Sequence, residues 1–255
     1  MLTIIFGRAA QFVLLLLMMR VATVYLPPEE MGRLSLITAA TAFFALILVN
    51  PVGMFINRRF HAWDETGRAK RYLKLHWLYL LGVCVVAALM LVVLNRAHAF
   101  GFRFNTAWLL VMVCGSLLFN TINQTAIPSL NMLELRGRFI VLTLATIVLG
   151  LASAYALVIS FAPTAEFWLL GLLVGQTLFA VIGVKVFFDN LRPESAPEKL
   201  SRYHLQTLFH FAWPIAISVG LNWLQTQGYR FFAADSLGLA SLGLFVAGYS
   251  ISAGL

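Results

Sequence analysis

Three arginines, Arg8, Arg20 and Arg230, fall inside or at the edge of long apolar stretches. A guanidinium near a bilayer centre costs at least about 2.5 kcal/mol, so each needs a partner or water. Arg230 closes the run NWLQTQGYR, in which Asn222, Gln225, Thr226 and Tyr229 share one helical face with the arginine at its border. A second polar stripe, Asn120, Asn123, Gln124 and Asn131, recurs at helical spacing around Pro128, whose ring interrupts the backbone bonds. Amides alone glue membrane helices together by hydrogen bonding. Combined with arginines they point instead to a wet cavity, and the planar guanidinium suits bidentate binding of an anion such as a phosphate. Arg8, close to the end of its helix, is expected to snorkel to the interface. Arg20 sits about 18 Å further along that helix and about 120° round it, so the two need not share a face.

The acids supply the contrast. Glu29, Glu30, Asp64, Glu65, Glu134, Glu166, Asp189, Glu194 and Glu198 all fall in connections or at span ends, and only Asp235 approaches a span. The interior is therefore cationic without counter-charges, which suits an anion and suits a cationic drug poorly. Glu29 and Glu30 follow Pro27 and Pro28, where acids favour a helix dipole and proline fits a first turn, so capping explains them better than acid catalysis. Cys84 and Cys114 lie in apolar runs with no CxxC spacing, which indicates packing rather than metal binding or a disulfide framework. No Gly-Lys-Ser/Thr phosphate loop is present, and no cofactor is expected. GLLVG at Gly171 to Gly175 has the spacing that lets two membrane helices approach closely.

These residues must be positioned by membrane-spanning helices. The chain is 61% hydrophobic and 11% charged, against about a quarter charged in a soluble domain. A helix needs roughly 20 apolar residues to cross a bilayer, and the sequence meets that length near residues 2–26, 34–56, 75–94, 107–127, 139–162, 167–188 and 209–230, with an eighth span from Ser236 to Leu255. The first span is too long for a cleaved signal segment and carries two arginines, so it is read as a retained helix.

Charge sets the expected orientation. Alternating sides with each crossing, Arg58, Arg59, Arg68, Lys70, Arg71, Lys74, Arg136, Arg138, Lys185, Arg192, Lys199 and Arg202 collect on one side, and only Arg33, Arg96 and Arg103 on the other. The richer side is expected to be cytoplasmic and to hold the N-terminus. The net charge of +8 then follows from topology, and no nucleic-acid partner is expected.

The segment after Arg20, RVATVYLPPEEMGRLSLITAA, parallels RFFAADSLGLASLGLFVAGYSISAG after Arg230. Gly32 follows Arg20 by twelve residues and Gly243 follows Arg230 by thirteen, so the seventh and eighth helices read as a second copy of the first two. Transporters are often built from repeated halves with the substrate site between them. The LPPEEMGRLSLITA turn, NPVGMFINRR and FAWPIAISVGLNWLQTQGYRFFAADSLGLASLGLFVAGYS resemble the polysaccharide-exporter branch, including O-antigen flippases, of the multidrug/oligosaccharidyl-lipid/polysaccharide flippase superfamily. The similarity covers most of the chain, and its motifs specify superfamily better than substrate.

That resemblance implies an all-α polytopic membrane protein of the bacterial cytoplasmic (inner) membrane. Residues 1–190 would form a six-helix lobe, 191–208 a cytoplasmic linker, and 209–255 the start of a second, truncated lobe. It implies movement of a polyprenyl-diphosphate-linked oligosaccharide between leaflets rather than enzymatic catalysis. Arg20 and Arg230 would hold the diphosphate beside Asn120, Gln124, Asn222 and Gln225, and pathway glycosyltransferases or a polymerase would be partners besides membrane lipid. A cation-coupled drug exporter would need a carboxylate in the cavity, and none lies in the apolar spans. A membrane glycosyltransferase or sugar polymerase would display acids or His in sizeable outward loops, whereas His98 and Glu166 stand alone on short ones.

Overall fold

A computed structural model describes residues 2–97, 104–193 and 202–253. His98, Arg103, Glu194, Glu198, Lys199, residues 194–201 of the predicted linker and the last two residues of the predicted eighth span lie outside the described residues. The described residues form eight successive helices: α1 (Leu2–Tyr25), α2 (Pro28–Glu65), α3 (Ala69–Arg96), α4 (Thr106–Met132), α5 (Arg136–Ser160), α6 (Ala165–Asp189), α7 (202–237) and α8 (Leu239–Ala253). Among the described residues there is no strand, and α1 to α7 are each long and apolar enough to cross a bilayer. The chain is thus an all-helical protein with the composition of a membrane bundle. Large apolar side chains such as Phe6, Phe12, Val85, Leu89, Val141 and Leu221 point outward from their helices, the surface that lipid requires and water does not tolerate over such an area.

Local chemistry sets the helix ends. Pro28 opens α2, with Glu29 and Glu30 in its first turn. Glu30 also bonds Arg33 at 3.2 Å and accepts the Ala165 amide of α6 at 2.8 Å. One carboxylate therefore serves two helix N-termini, where unpaired N–H groups and the dipole both favour it. Asn105 caps α4 by accepting from the Ala107 and Trp108 amides. Gly67 (φ 68°) and Gly238 (φ 82°) make the tight turns after α2 and α7 in the left-handed region that a glycine enters without a side-chain clash.

Three helices carry a π-type turn, at Ala45–Val49 in α2, Ser116–Asn120 in α4 and Leu224–Gly228 in α7. In α2 the cause is legible: Pro51 cannot donate to the carbonyl four residues back, Ile47, and the widened turn lies across that gap. The Tyr79 hydroxyl of α3 donates to the Leu48 carbonyl at 2.7 Å, meeting one of the carbonyls that the irregular turn leaves exposed.

Two close crossings organise the bundle. A Cβ at Gly171 would collide with the backbone of Ala154, and one at Gly175 would lie 2.6 Å from the amide nitrogen of Gly150. The glycine stripe of α6 thus seats against Gly150 and Ala154 of α5, as the spacing predicts. Elsewhere a Cβ at Gly32 would strike the Leu239 carbonyl, and one at Gly243 the Pro28 carbonyl. The two glycines singled out by the repeat therefore meet each other's helices, α2 against α8.

The apolar clusters separate the two ends. One joins Phe55, Phe60 and Trp63 of α2 to Leu73 of α3, Ile127 and Leu130 of α4, Phe139 of α5 and Phe187 of α6. It underlies the end that holds Arg58, Arg59, Arg68, Arg71, Arg136 and Arg138, which the alternating topology also places together. Another joins Ala22 of α1 and Leu26, just beyond it, to Met31 of α2, Val158 of α5 and Trp168 of α6.

Candidate functional site

Between the π turn at Ser116–Asn120 and Pro128, α4 turns Asn120, Asn123 and Gln124 toward a cavity of about 410 Å³. The volume lies in the range of ligand pockets. Arg8, Gln11, Leu15 and Met18 of α1 form one wall, Asn120, Asn123, Gln124 and Ile127 of α4 the next, Phe139, Thr143 and Thr146 of α5 the third, and Leu172 and Gln176 of α6 the last. Among the described residues that line it there is one formal positive charge and no carboxylate.

Arg8, expected to snorkel, is exposed near the end of α1 and makes two contacts beside the cavity. Its Nη1 donates to Gln11 Oε1 at 2.9 Å, and its guanidinium carbon stands 5.4 Å from the Phe139 ring centroid on α5. The cation–π contact and the amide fix the fork while leaving further N–H groups for a ligand. Asn123 Nδ2 donates to the Gln176 backbone carbonyl at 2.8 Å, tying α4 to α6, and Gln124 Nε2 donates to Asn120 Oδ1 at 3.3 Å. Asn123 Oδ1 and Gln176 Oε1 are buried with no hydrogen-bond partner. Thr143 and Thr146 spend their protons on the Phe139 and Leu142 carbonyls, so toward the cavity their oxygens can only accept. The site thus offers charged donors at Arg8 and unfilled acceptors opposite it, a pairing that accommodates a group with both anionic oxygens and hydroxyls.

Comparison with protein families, with curated proteins and with solved structures finds no match. The site is therefore read from its own chemistry.

Of the residues singled out by sequence, Arg8, Asn120, Asn123 and Gln124 line this cavity, and Asn131 of the same stripe does not. Arg20, further along α1, is exposed and does not line it. Asn222 and Gln225 are exposed on α7, Gln225 within the π turn, and Arg230 is half-buried with its Nε lacking a partner. Trp223 anchors this part of α7 to α2, donating to the Ala39 carbonyl at 3.0 Å and packing on Phe43. No hydrogen bond or ion pair joins Arg20 to Arg230 among the described residues. Sequence reasoning missed Gln11, Thr143, Thr146 and Gln176. The signals were present in Arg8 and Gln11 three residues apart, in Thr143 and Thr146 three apart, and in a glutamine midway along an apolar span.

Proposed function

We propose that the chain translocates a polyprenyl-diphosphate-linked oligosaccharide across a bacterial cytoplasmic membrane, with its N-terminus on the cytoplasmic side. The observation that carries the reading is the cavity between α1, α4, α5 and α6. Inside an apolar bundle it holds a guanidinium, five amide side chains and no carboxylate. Diphosphate oxygens would take the free N–H groups of Arg8, and sugar hydroxyls would donate to Asn123 Oδ1, Gln176 Oε1 and the threonine oxygens. The prenyl chain would remain in lipid along the apolar outer faces.

In this reading α7 and α8 belong to a second lobe related to α1 and α2, and the Gly32 and Gly243 crossing is the contact between equivalent helices of the two lobes. Arg20 and Arg230 are further stations for the diphosphate as one lobe rocks against the other. The test is binding of a polyprenyl-diphosphate disaccharide to the purified protein in detergent. Replacing Arg8 by Ala should weaken binding roughly 10- to 100-fold, as for loss of charged hydrogen bonds, with Arg8→Lys intermediate because an ammonium lacks the fork. Equal affinity in all three proteins would sink the proposal.

A further inference from the structure

A second cavity, of about 360 Å³, opens between α2, α3 and the start of α7. Its wall is hydrocarbon and aromatic, with Val52, Phe55, Trp63, Tyr72 and Leu208 contributing, and one residue breaks the pattern. His76 is 3% exposed, and neither of its ring nitrogens has a hydrogen-bond partner. A neutral imidazole carries one N–H donor and one acceptor, so a buried one with neither met lacks a group that the site is shaped to receive.

The rim supplies the complementary charge. The Arg59 guanidinium stands 5.2 Å from the centroid of Phe55, itself part of the wall. That of Arg58 stands 6.0 Å from Phe211, which packs on Phe55 at 5.5 Å. Both arginines are exposed, and neither forms an ion pair among the described residues. Two cations outside, one buried donor within and an apolar chamber beyond match, in order, the phosphate, the ester and the hydrocarbon of a glycerophospholipid.

We propose that this cavity is a binding site for an anionic diacyl glycerophospholipid, with its phosphate on Arg58 and Arg59, an ester carbonyl accepting from His76, and one acyl chain in the chamber. The site is separate from the polar cavity, and no residue lines both. It stands whether or not the chain moves a glycolipid.

The test is native mass spectrometry of the full chain released from detergent with phosphatidylglycerol and phosphatidylcholine of matched acyl chains in competition. The wild-type protein should retain phosphatidylglycerol about 30-fold better, the preference expected of two interfacial arginines. The R58Q/R59Q variant changes only exposed side chains and should bring the two lipids to parity. V52F, which fills the chamber, should lower retention of both. H76F should lower both while keeping the preference. Equal retention by the wild type, a preference that survives in R58Q/R59Q, or one that disappears equally in R136Q/R138Q at the same end of the bundle would each overturn the assignment.

Discussion

The two cavities are of similar size, about 410 and 360 Å³, and share almost no chemistry. One is walled by amides, hydroxyls and Arg8; the other by aromatic rings around a single imidazole. In a bilayer this difference decides what each admits. An apolar chamber competes with lipid for nothing but a hydrocarbon chain, whereas a polar chamber is costly unless its groups are satisfied by water or a ligand. Location follows the same division. The polar chamber lies among helices held together by backbone contacts at Gly150 and Gly175, and the apolar one lies beside the long α2, where side chains do the packing.

The largest break in that comparison should come from Gly171→Leu. The new side chain has no room against Ala154, and forcing α5 from α6 should cost about 3 kcal/mol or more. The measurement is thermal unfolding in detergent, with loss of glycolipid binding at the polar chamber before loss of phosphatidylglycerol at the other. Next, Asn123→Ala strips the donor from the Gln176 carbonyl, a buried group whose desolvation is worth roughly 1–3 kcal/mol. Chemical denaturation should show the destabilisation, and glycolipid binding should weaken while the lipid preference holds. Gln124→Ala removes one exposed amide and should change glycolipid affinity only a few-fold, about 1 kcal/mol at most. Smallest of all, Tyr79→Phe leaves the Leu48 carbonyl without its donor. It should lower stability by about 0.5 kcal/mol with no change in glycolipid binding, since Tyr79 lines the apolar chamber and not the polar one.

Much of the architecture is legible in the sequence. Seven spans follow from length and hydropathy because a bilayer imposes one thickness on every crossing, and the GLLVG packing and the capping role of Glu30 follow from rules that act within a few residues. The span near 34–56 lies inside a longer helix. The helix runs from Pro28 to Glu65, because its last turns are amphipathic and pack Phe60 and Trp63 under the basic end. One wall of the polar chamber is legible through Asn120, Asn123 and Gln124, whose periodicity is a one-helix property. Arg8 is not, since its value depends on Phe139, which is distant in sequence. His76 gave no signal, because a lone histidine among aromatic and basic neighbours reads as interface until its neighbours are seen to leave both nitrogens unmet.

The crossing of α2 and α8 sets a rule for how this sequence can drift. A Cβ at position 32 meets the carbonyl of Leu239, and a Cβ at position 243 meets that of Pro28. Each clash is with main chain, which no change of side chain can trim. A substitution at one glycine therefore cannot be relieved by any replacement at the other. The pair is closed to stepwise compensation and passes through descent either intact or together with a new separation of the two helices.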